Sequence, residues 1–90
     1  MTTAIVLHRV ADYDAWRPAY DNLDDTRNAG GVTHQEVLRS QDDADFVIVR
    51  HDFLNRAAAD AFFAGTELKH AMTEAGVDVT TLQIHIADLA

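Results

Sequence analysis

The sequence predicts one ferredoxin-like α+β domain over residues 1–90, with the element order βαββααβ. Four segments rich in aliphatic and β-branched residues predict strands, and the segments between them show the apolar spacing of helices. Glycines close the helical segments. Right-handed crossovers then give an antiparallel sheet in the order 4-1-3-2, with the helices on one face.

The first strand and the first helix come before the glycine pair Gly30 and Gly31. The alternation over residues 3–10 predicts the strand. Asp12 or Asp14 can cap the helix that follows, and the glycine pair ends it. The apolar stripe of this helix consists of Trp16, Ala19, Tyr20 and Leu23.

The rest of the chain predicts a hairpin, two short helices and a last strand. Val32–Arg39 and Phe46–Phe53 are the hairpin strands, because the acidic run between them is typical of a tight turn. Helices are expected over residues 55–64 and 66–75, each with a capping residue at its start and a glycine after its end. Residues 80–87 form the last strand.

Both faces of this sheet are expected to be apolar at its centre. The first strand has aliphatic residues on both sides at positions 5 and 6, and the third strand has them at positions 48 and 49. Helices cover one face, so the other requires a second sheet. We therefore expect a homodimer, a dimeric α+β barrel with its sheets face to face, and place Arg50, Asp52 and His85 on the interface side.

Composition excludes several classes of function. The net charge of −8, from fifteen acidic and seven basic residues, repels nucleic acid and acidic membrane surfaces. Without cysteine, thiolate catalysis and cysteine-based metal sites are excluded. The chain does not open with a basic region and an apolar run, so we expect no signal peptide and a cytoplasmic protein. The expected partners are a small hydrophobic molecule and a second copy of the chain.

The hairpin brings two histidines together if its turn is tight. A turn centred on Asp42 and Asp43 places His34 opposite His51, with Glu36 two residues along on the same face. Such a set could bind a divalent metal or hold a histidine base in one tautomer. The alternative is an exposed His34 at the sheet edge and a hydrogen-bonded His51 in the core.

His8 is the first candidate for a catalytic base. It stands on the first strand between Val6 and Val10, and is expected to project into a pocket between sheet and helices. Burial favours the neutral imidazole, which can accept a proton from a bound phenol or enol. The alternative is a structural histidine. Antiparallel pairing places His8 and His51 towards opposite ends of the sheet, in separate sites.

Aromatic and flexible apolar side chains are expected to contact the substrate in this pocket. They are Tyr13, Trp16, Tyr20, Phe53, Phe62, Phe63 and Met72. Such residues at helical spacing are more often plain core. The sequence contains no catalytic triad, phosphate-binding glycine loop or dinucleotide fingerprint, so no bound cofactor is expected.

Two segments carry a resemblance to a known family, residues 7–16 (LHRVADYDAW) and 67–77 (ELKHAMTEAGV). With the element order, they resemble the antibiotic-biosynthesis-monooxygenase-like proteins of the dimeric α+β barrel superfamily. The resemblance covers nearly the whole chain. It implies a dimer and a small-molecule enzyme such as a cofactor-independent oxygenase, a heme-degrading monooxygenase, a polyketide cyclase or a lactone isomerase.

Heme degradation is disfavoured by the residues at the matching positions. The resemblance places His8, Phe62 and Met72 where the heme-degrading members have asparagine, tryptophan and the iron-ligating histidine. His70 lies two residues from the ligand position and points away from the buried stripe of its helix. The pocket asparagine and arginine of the anthrone oxygenases also have no clear counterparts.

We therefore expect a small-molecule enzyme for a hydrophobic aromatic or polyketide-like substrate, with a histidine base and no cofactor. His8 is the preferred base, and His51 and His34 are the other candidates. The carbanion then reacts with oxygen, or it cyclises or isomerises. The alternatives are a non-catalytic metabolite-binding or auxiliary protein, and a metal-dependent enzyme using His34, Glu36 and His51.

Overall fold

The computed structural model describes residues 1–88, apart from the side chain of Glu67, and confirms the predicted fold class. Its sheet has the order β2-β3-β1-β4 with every neighbouring pair antiparallel, as predicted. Among residues 1–88, no helix combines the length and apolar character that crossing a membrane requires. The elements are β1 (Thr2–Val10), α1 (Tyr13–Asp21), α2 (Asp24–Ala29), β2 (Val32–Arg39), β3 (Phe46–Phe53), α3 (Arg56–Ala64), α4 (Thr66–Glu74) and β4 (Val77–Asp88).

The core lies between one face of the sheet and the four helices. Alternate residues of the central strands β1 and β3 are buried on this face. Val47, Val49 and Phe53 are the largest fully buried side chains. Trp16 and Tyr20 on α1 pack with Val47, Val49 and the valines of β1 in one cluster, whereas Phe53 belongs to a second cluster. The period of two along each strand therefore decides which side chains reach the helices.

Local capping residues set the starts of two helices. The Asp12 side chain accepts a hydrogen bond from the N–H of Asp14, and the Asn55 side chain accepts one from Ala58. The helix predicted to run to the glycine pair is instead two helices. The first helix ends at Asp21 and the second begins at Asp24.

The hairpin register differs from the prediction by one residue. Gln35, and not His34, lies opposite His51, so the predicted His34–His51 pair is wrong. The loop causes this, since the N–H of Ser40 bonds to the carbonyl of Phe46 and so moves the pairing by one position. A one-residue slip reverses the face of every side chain. A bulge near the start of β2 then restores the predicted pairing of residues 32 and 53.

The last strand starts earlier than predicted and contains an irregularity opposite His8. Leu7 pairs with Gln83, but Arg9 pairs with Asp78. Over this stretch β4 therefore advances five residues while β1 advances two. Hydrogen bonds within residues 78–81 stabilise this irregular segment of β4. The Thr81 hydroxyl also accepts a hydrogen bond from the N–H of Arg9. The β4 ladder is therefore interrupted beside His8.

The other face of the sheet carries no helix. Ile5, Leu7 and Ile48 are half-buried there, and Leu38 is 48% exposed. Within this face Asp52 accepts hydrogen bonds from Thr3 and Arg50. The face is apolar at its centre, as the sequence predicts.

Gly30 allows a close contact between the end of α2 and α3. A Cβ atom at position 30 would overlap the Phe62 ring, although the backbone angles suit alanine.

We expect Gly30→Ala to lower the free energy of unfolding by about 1–3 kcal/mol, because the Phe62 ring must move. Urea denaturation of wild type and variant measures this destabilisation. The destabilisation should be smaller in a Phe62→Leu background, and an equal value in both backgrounds would contradict the packing explanation.

Candidate functional site

A cavity of about 150 Å³ lies between the sheet and the helices. Apolar side chains dominate its walls. A cavity of this size accommodates a single aromatic ring. Its lining residues are Val6, His8, Trp16, Tyr20, Leu23, Thr26, Arg27, Val49, His51, Phe62, Phe63, Leu68, Ala71, Met72 and Ala75.

His8 reaches the cavity from β1 and is only 2% exposed. The Trp16 indole contacts its ring edge-on, with the centroids 5.8 Å apart. Within residues 1–88, Nδ1 of His8 has no hydrogen-bond partner. Burial lowers the pKa of His8, so the ring is neutral near pH 7 and retains a lone pair that can accept a proton.

His51 reaches the same cavity from β3 and pairs with Tyr20. Its Nε2 lies 3.0 Å from the Tyr20 hydroxyl oxygen, and the two rings are nearly parallel. Burial, aided by the charge of Arg27, lowers the pKa of His51 to about 4. Burial also raises the pKa of Tyr20, so both groups are neutral near pH 7. Nδ1 of His51 has no partner in the described part of the chain.

Arg27 is a polar cavity residue that the sequence interpretation missed. It is 3% exposed, and its guanidinium carbon lies 3.7 Å from the centroid of the Tyr20 ring. Its Nε donates to Gln35 over 2.7 Å, and its Nη2 lies 3.4 Å from exposed Asp24. Position 27 continues the helical spacing of Tyr20 and Leu23. An arginine at a position of the apolar stripe was therefore the sequence feature that could have indicated a buried cation.

A row of rings connects the two histidines along one wall. Trp16 and Tyr20 are one helical turn apart on α1 and stack with their centroids 4.9 Å apart. Their outer neighbours are His8 and His51. The histidines point to the same face about 13 Å apart along the strands, since His8 lies opposite Val47 and His51 opposite residue 4. They therefore occupy two ends of one cavity, and the expectation of separate sites is corrected.

The residues predicted to contact substrate divide into two groups. Tyr13 lies outside the cavity lining, with the Arg39 guanidinium 3.9 Å from its ring centroid. Phe53 is fully buried behind the rings of α3. The others line the cavity, namely Trp16, Tyr20, Phe62, Phe63 and Met72.

The predicted metal set does not converge. His34 and Glu36 are exposed, 3.2 Å apart, on the face opposite to that of His51. Among the side chains that the structure describes, no group of three His, Cys, Asp or Glu residues is arranged to hold a metal ion. His85 is exposed on the helix-free face, and exposed His70 pairs with Glu74. His34, His70 and His85 are thus remote from the cavity.

Known structures share this fold over the whole chain. The sequence matches no protein-family model and no curated protein. A crystal structure of an antibiotic biosynthesis monooxygenase is 16% identical, covers 100% of this chain and 99% of that chain, and has a TM-score of 0.76. SnoaB, a cofactor-independent oxygenase from Streptomyces nogalater, is 12% identical, with coverages of 99% and 92% and a TM-score of 0.79.

A conserved protein from Methanosarcina mazei Go1 is 10% identical, with coverages of 99% and 92% and a TM-score of 0.78. The resemblance expected from the sequence is confirmed at the level of the fold. Because a fold supports many chemistries, the reaction must be argued from the cavity.

The buried His51 should make stability depend on pH. Its pKa is about 4 in the folded chain against 6.5 for the ordinary residue, so between these values only the unfolded chain binds the proton. Stability should therefore fall as the pH drops from 6.5 to about 4, by up to roughly 3 kcal/mol from this group.

Urea denaturation of wild type and His51→Phe at both ends of this range measures that contribution. The variant keeps the aromatic contacts and should lose less stability in acid. His70→Gln replaces an exposed histidine and should behave like wild type. A wild-type pH dependence in His51→Phe would refute the assignment.

Proposed function

We propose that this protein is a small-molecule enzyme that removes a proton from a hydrophobic aromatic or polyketide-like substrate, with His8 as the general base. One observation carries the proposal: His8 is a buried, neutral imidazole in an apolar cavity, and its Nδ1 has no hydrogen-bond partner among the side chains that the structure describes. The interruption of β4 beside it is a further support, because irregularities of this kind are frequent next to active sites.

His8 suits this role better than His51. The Nε2 of His51 already bonds to Tyr20, and its pKa of about 4 makes it a weak base. A general base works best when its pKa lies near the working pH. His34 is exposed on the other face of the sheet and cannot reach a ligand in the cavity.

The reaction begins when His8 accepts a proton from an activated C–H or O–H group. The electron pair remains on the substrate as a carbanion or enolate, which its aromatic system delocalises. The imidazolium formed lies beside the carbanion in a mostly apolar lining and can return the proton. No bound cofactor is required for this step.

Two continuations are consistent with the same base. In monooxygenation, the carbanion passes electrons to dioxygen and forms a C–O bond; a CH₂ group and O₂ become a carbonyl and water. In cyclisation or isomerisation, the carbanion attacks an internal carbonyl or is protonated at another carbon, and no oxidant is needed. The fold shared with SnoaB, a cofactor-independent oxygenase, supports the first.

A non-catalytic metabolite-binding protein is the second candidate. The cavity is small and mostly apolar, and one of its two histidines is engaged with Tyr20. Such a site can hold a ligand by burial alone. Binding of a ligand without catalysed exchange of its C–H protons would favour this candidate.

The protein is further proposed to act as a homodimer. The helix-free face presents half-buried Ile5, Leu7 and Ile48 at its centre. A second copy of the same face would cover these side chains, and a two-fold interface needs no other partner. The cytoplasmic location expected from the sequence stays a prediction.

Proton abstraction can be tested with 2-indanone, an enolisable ketone with one aromatic ring. The wild-type protein should accelerate exchange of its acidic C–H protons in D₂O, as followed by NMR. His8→Gln should reduce the catalysed rate by about a hundredfold or more, because the base is lost. His70→Gln, which replaces an exposed histidine of α4 remote from the cavity, should leave the rate unchanged. Equal rates for wild type and His8→Gln would rule out His8 as the base.

The dimer can be tested by size exclusion with light scattering. The wild-type protein should have about twice the 10.0 kDa mass of the chain. Ile48→Asp, at the centre of the helix-free face, should shift the protein to monomer. Leu54→Asp introduces the same charge at a side chain that is 79% exposed after β3, and should remain dimeric. A wild-type monomer at micromolar concentration would overturn the proposal.

A further inference from the structure

Arg27 places a positive charge inside the cavity, and its only ion-pair partner among the side chains that the structure describes is the exposed Asp24. Its side chain is buried, and the carboxylate nearest to its guanidinium belongs to Asp24, which is 58% exposed at 3.4 Å. Gln35 and the Tyr20 ring, its other contacts, are uncharged. Buried charges in proteins are normally paired with groups that are themselves desolvated, whereas this guanidinium pairs over 3.4 Å with a solvent-exposed carboxylate.

A second polar atom lies at the same end of the cavity. Tyr20 contacts Arg27 through its ring and His51 through its hydroxyl, so the three side chains form one cluster. Nδ1 of His51 is buried without a partner in the described residues. If the Tyr20 hydroxyl donates to Nε2, Nδ1 carries a proton and is a hydrogen-bond donor. This end therefore combines a cation with a potential donor, and His8 occupies the other end.

We propose that the Arg27 end of the cavity binds the carboxylate of a hydrophobic acid with one aromatic ring. A guanidinium fork matches a carboxylate in geometry and charge. The ligand carboxylate would replace exposed Asp24 at Nη2, and the ring would lie along the wall formed by Trp16 and Tyr20. Arg27 is then the residue that determines specificity.

This assignment rests on the proposed function in one respect, because it leaves the reacting part of the substrate next to His8. The row of rings from His51 to His8 gives the ligand its orientation. The overall charge of −8 and the acidic residues of α2 oppose anion binding. Both carboxylates are exposed and hydrated, and the one in contact with Arg27, that of Asp24, is the one that the ligand carboxylate replaces.

The test uses Trp16, the single tryptophan of the chain, as a fluorescent reporter on the cavity wall. Wild-type protein is titrated near pH 7 with phenylacetate and with phenylacetamide, its neutral analogue of the same shape. We expect phenylacetate to bind at least about tenfold more tightly. Arg27→Gln should abolish this preference and keep the affinity for the amide.

Arg17→Gln is the matched control. Arg17 also lies over the Tyr20 ring, at 5.9 Å, but it is outside the cavity lining. This variant should keep the wild-type preference. If Arg27→Gln does not fold, the comparison of the two ligands on wild-type protein decides the proposal by itself.

Equal affinities of wild type for acid and amide would overturn the carboxylate site and leave the proposed function intact, since a neutral aromatic ligand still binds. No binding of either compound up to about 10 mM would refute both, because the cavity would then not be a ligand site. A preference that survives in Arg27→Gln would also overturn the role of Arg27.

Discussion

The antiparallel pairing of β1 with β3 is the constraint on which the rest of the molecule depends. Residues opposite each other in such a pair point to the same face. His8 lies opposite Val47 and His51 opposite Ala4, so both imidazoles face the helices. Apolar residues between them form the cavity floor and are buried by α1. The register between β1 and β3 therefore determines both which side chains form the core and which polar side chains face the cavity.

Burial keeps the two histidines and the tyrosine of the cavity neutral. An imidazolium or a phenolate would lose its hydration in this apolar environment, so burial lowers the pKa of both histidines and raises that of Tyr20. Arg27 cannot follow this rule, because a guanidinium stays protonated in proteins. It is instead held over the Tyr20 ring and by Gln35. A charge whose counter-ion is solvent-exposed thus persists in the interior.

The sequence predicted helices and strands well where a single capping residue or the alternation along one strand determines their bounds. The bounds of both hairpin strands and the cap at Asn55 agree with the structure. The predicted hairpin register was wrong, because the loop at Ser40 aligns the two strands one residue away from the expected pairing. The irregular segment of β4, for which no register with β1 was predicted, also depends on how two strands align. Neither depends on the composition of one strand, so periodicity could not reveal them.

The sequence alone determined the fold class, the strand order, the apolar character of both sheet faces and the candidacy of His8. Strand periodicity and helix caps are local, and they are sufficient for these features. The tertiary structure decided which histidines share a cavity. It separated His34 from His51 by one step of register, paired His51 with Tyr20, and buried Arg27 beside them. These contacts join residues distant in sequence, so only the packing of helices onto the sheet could define them.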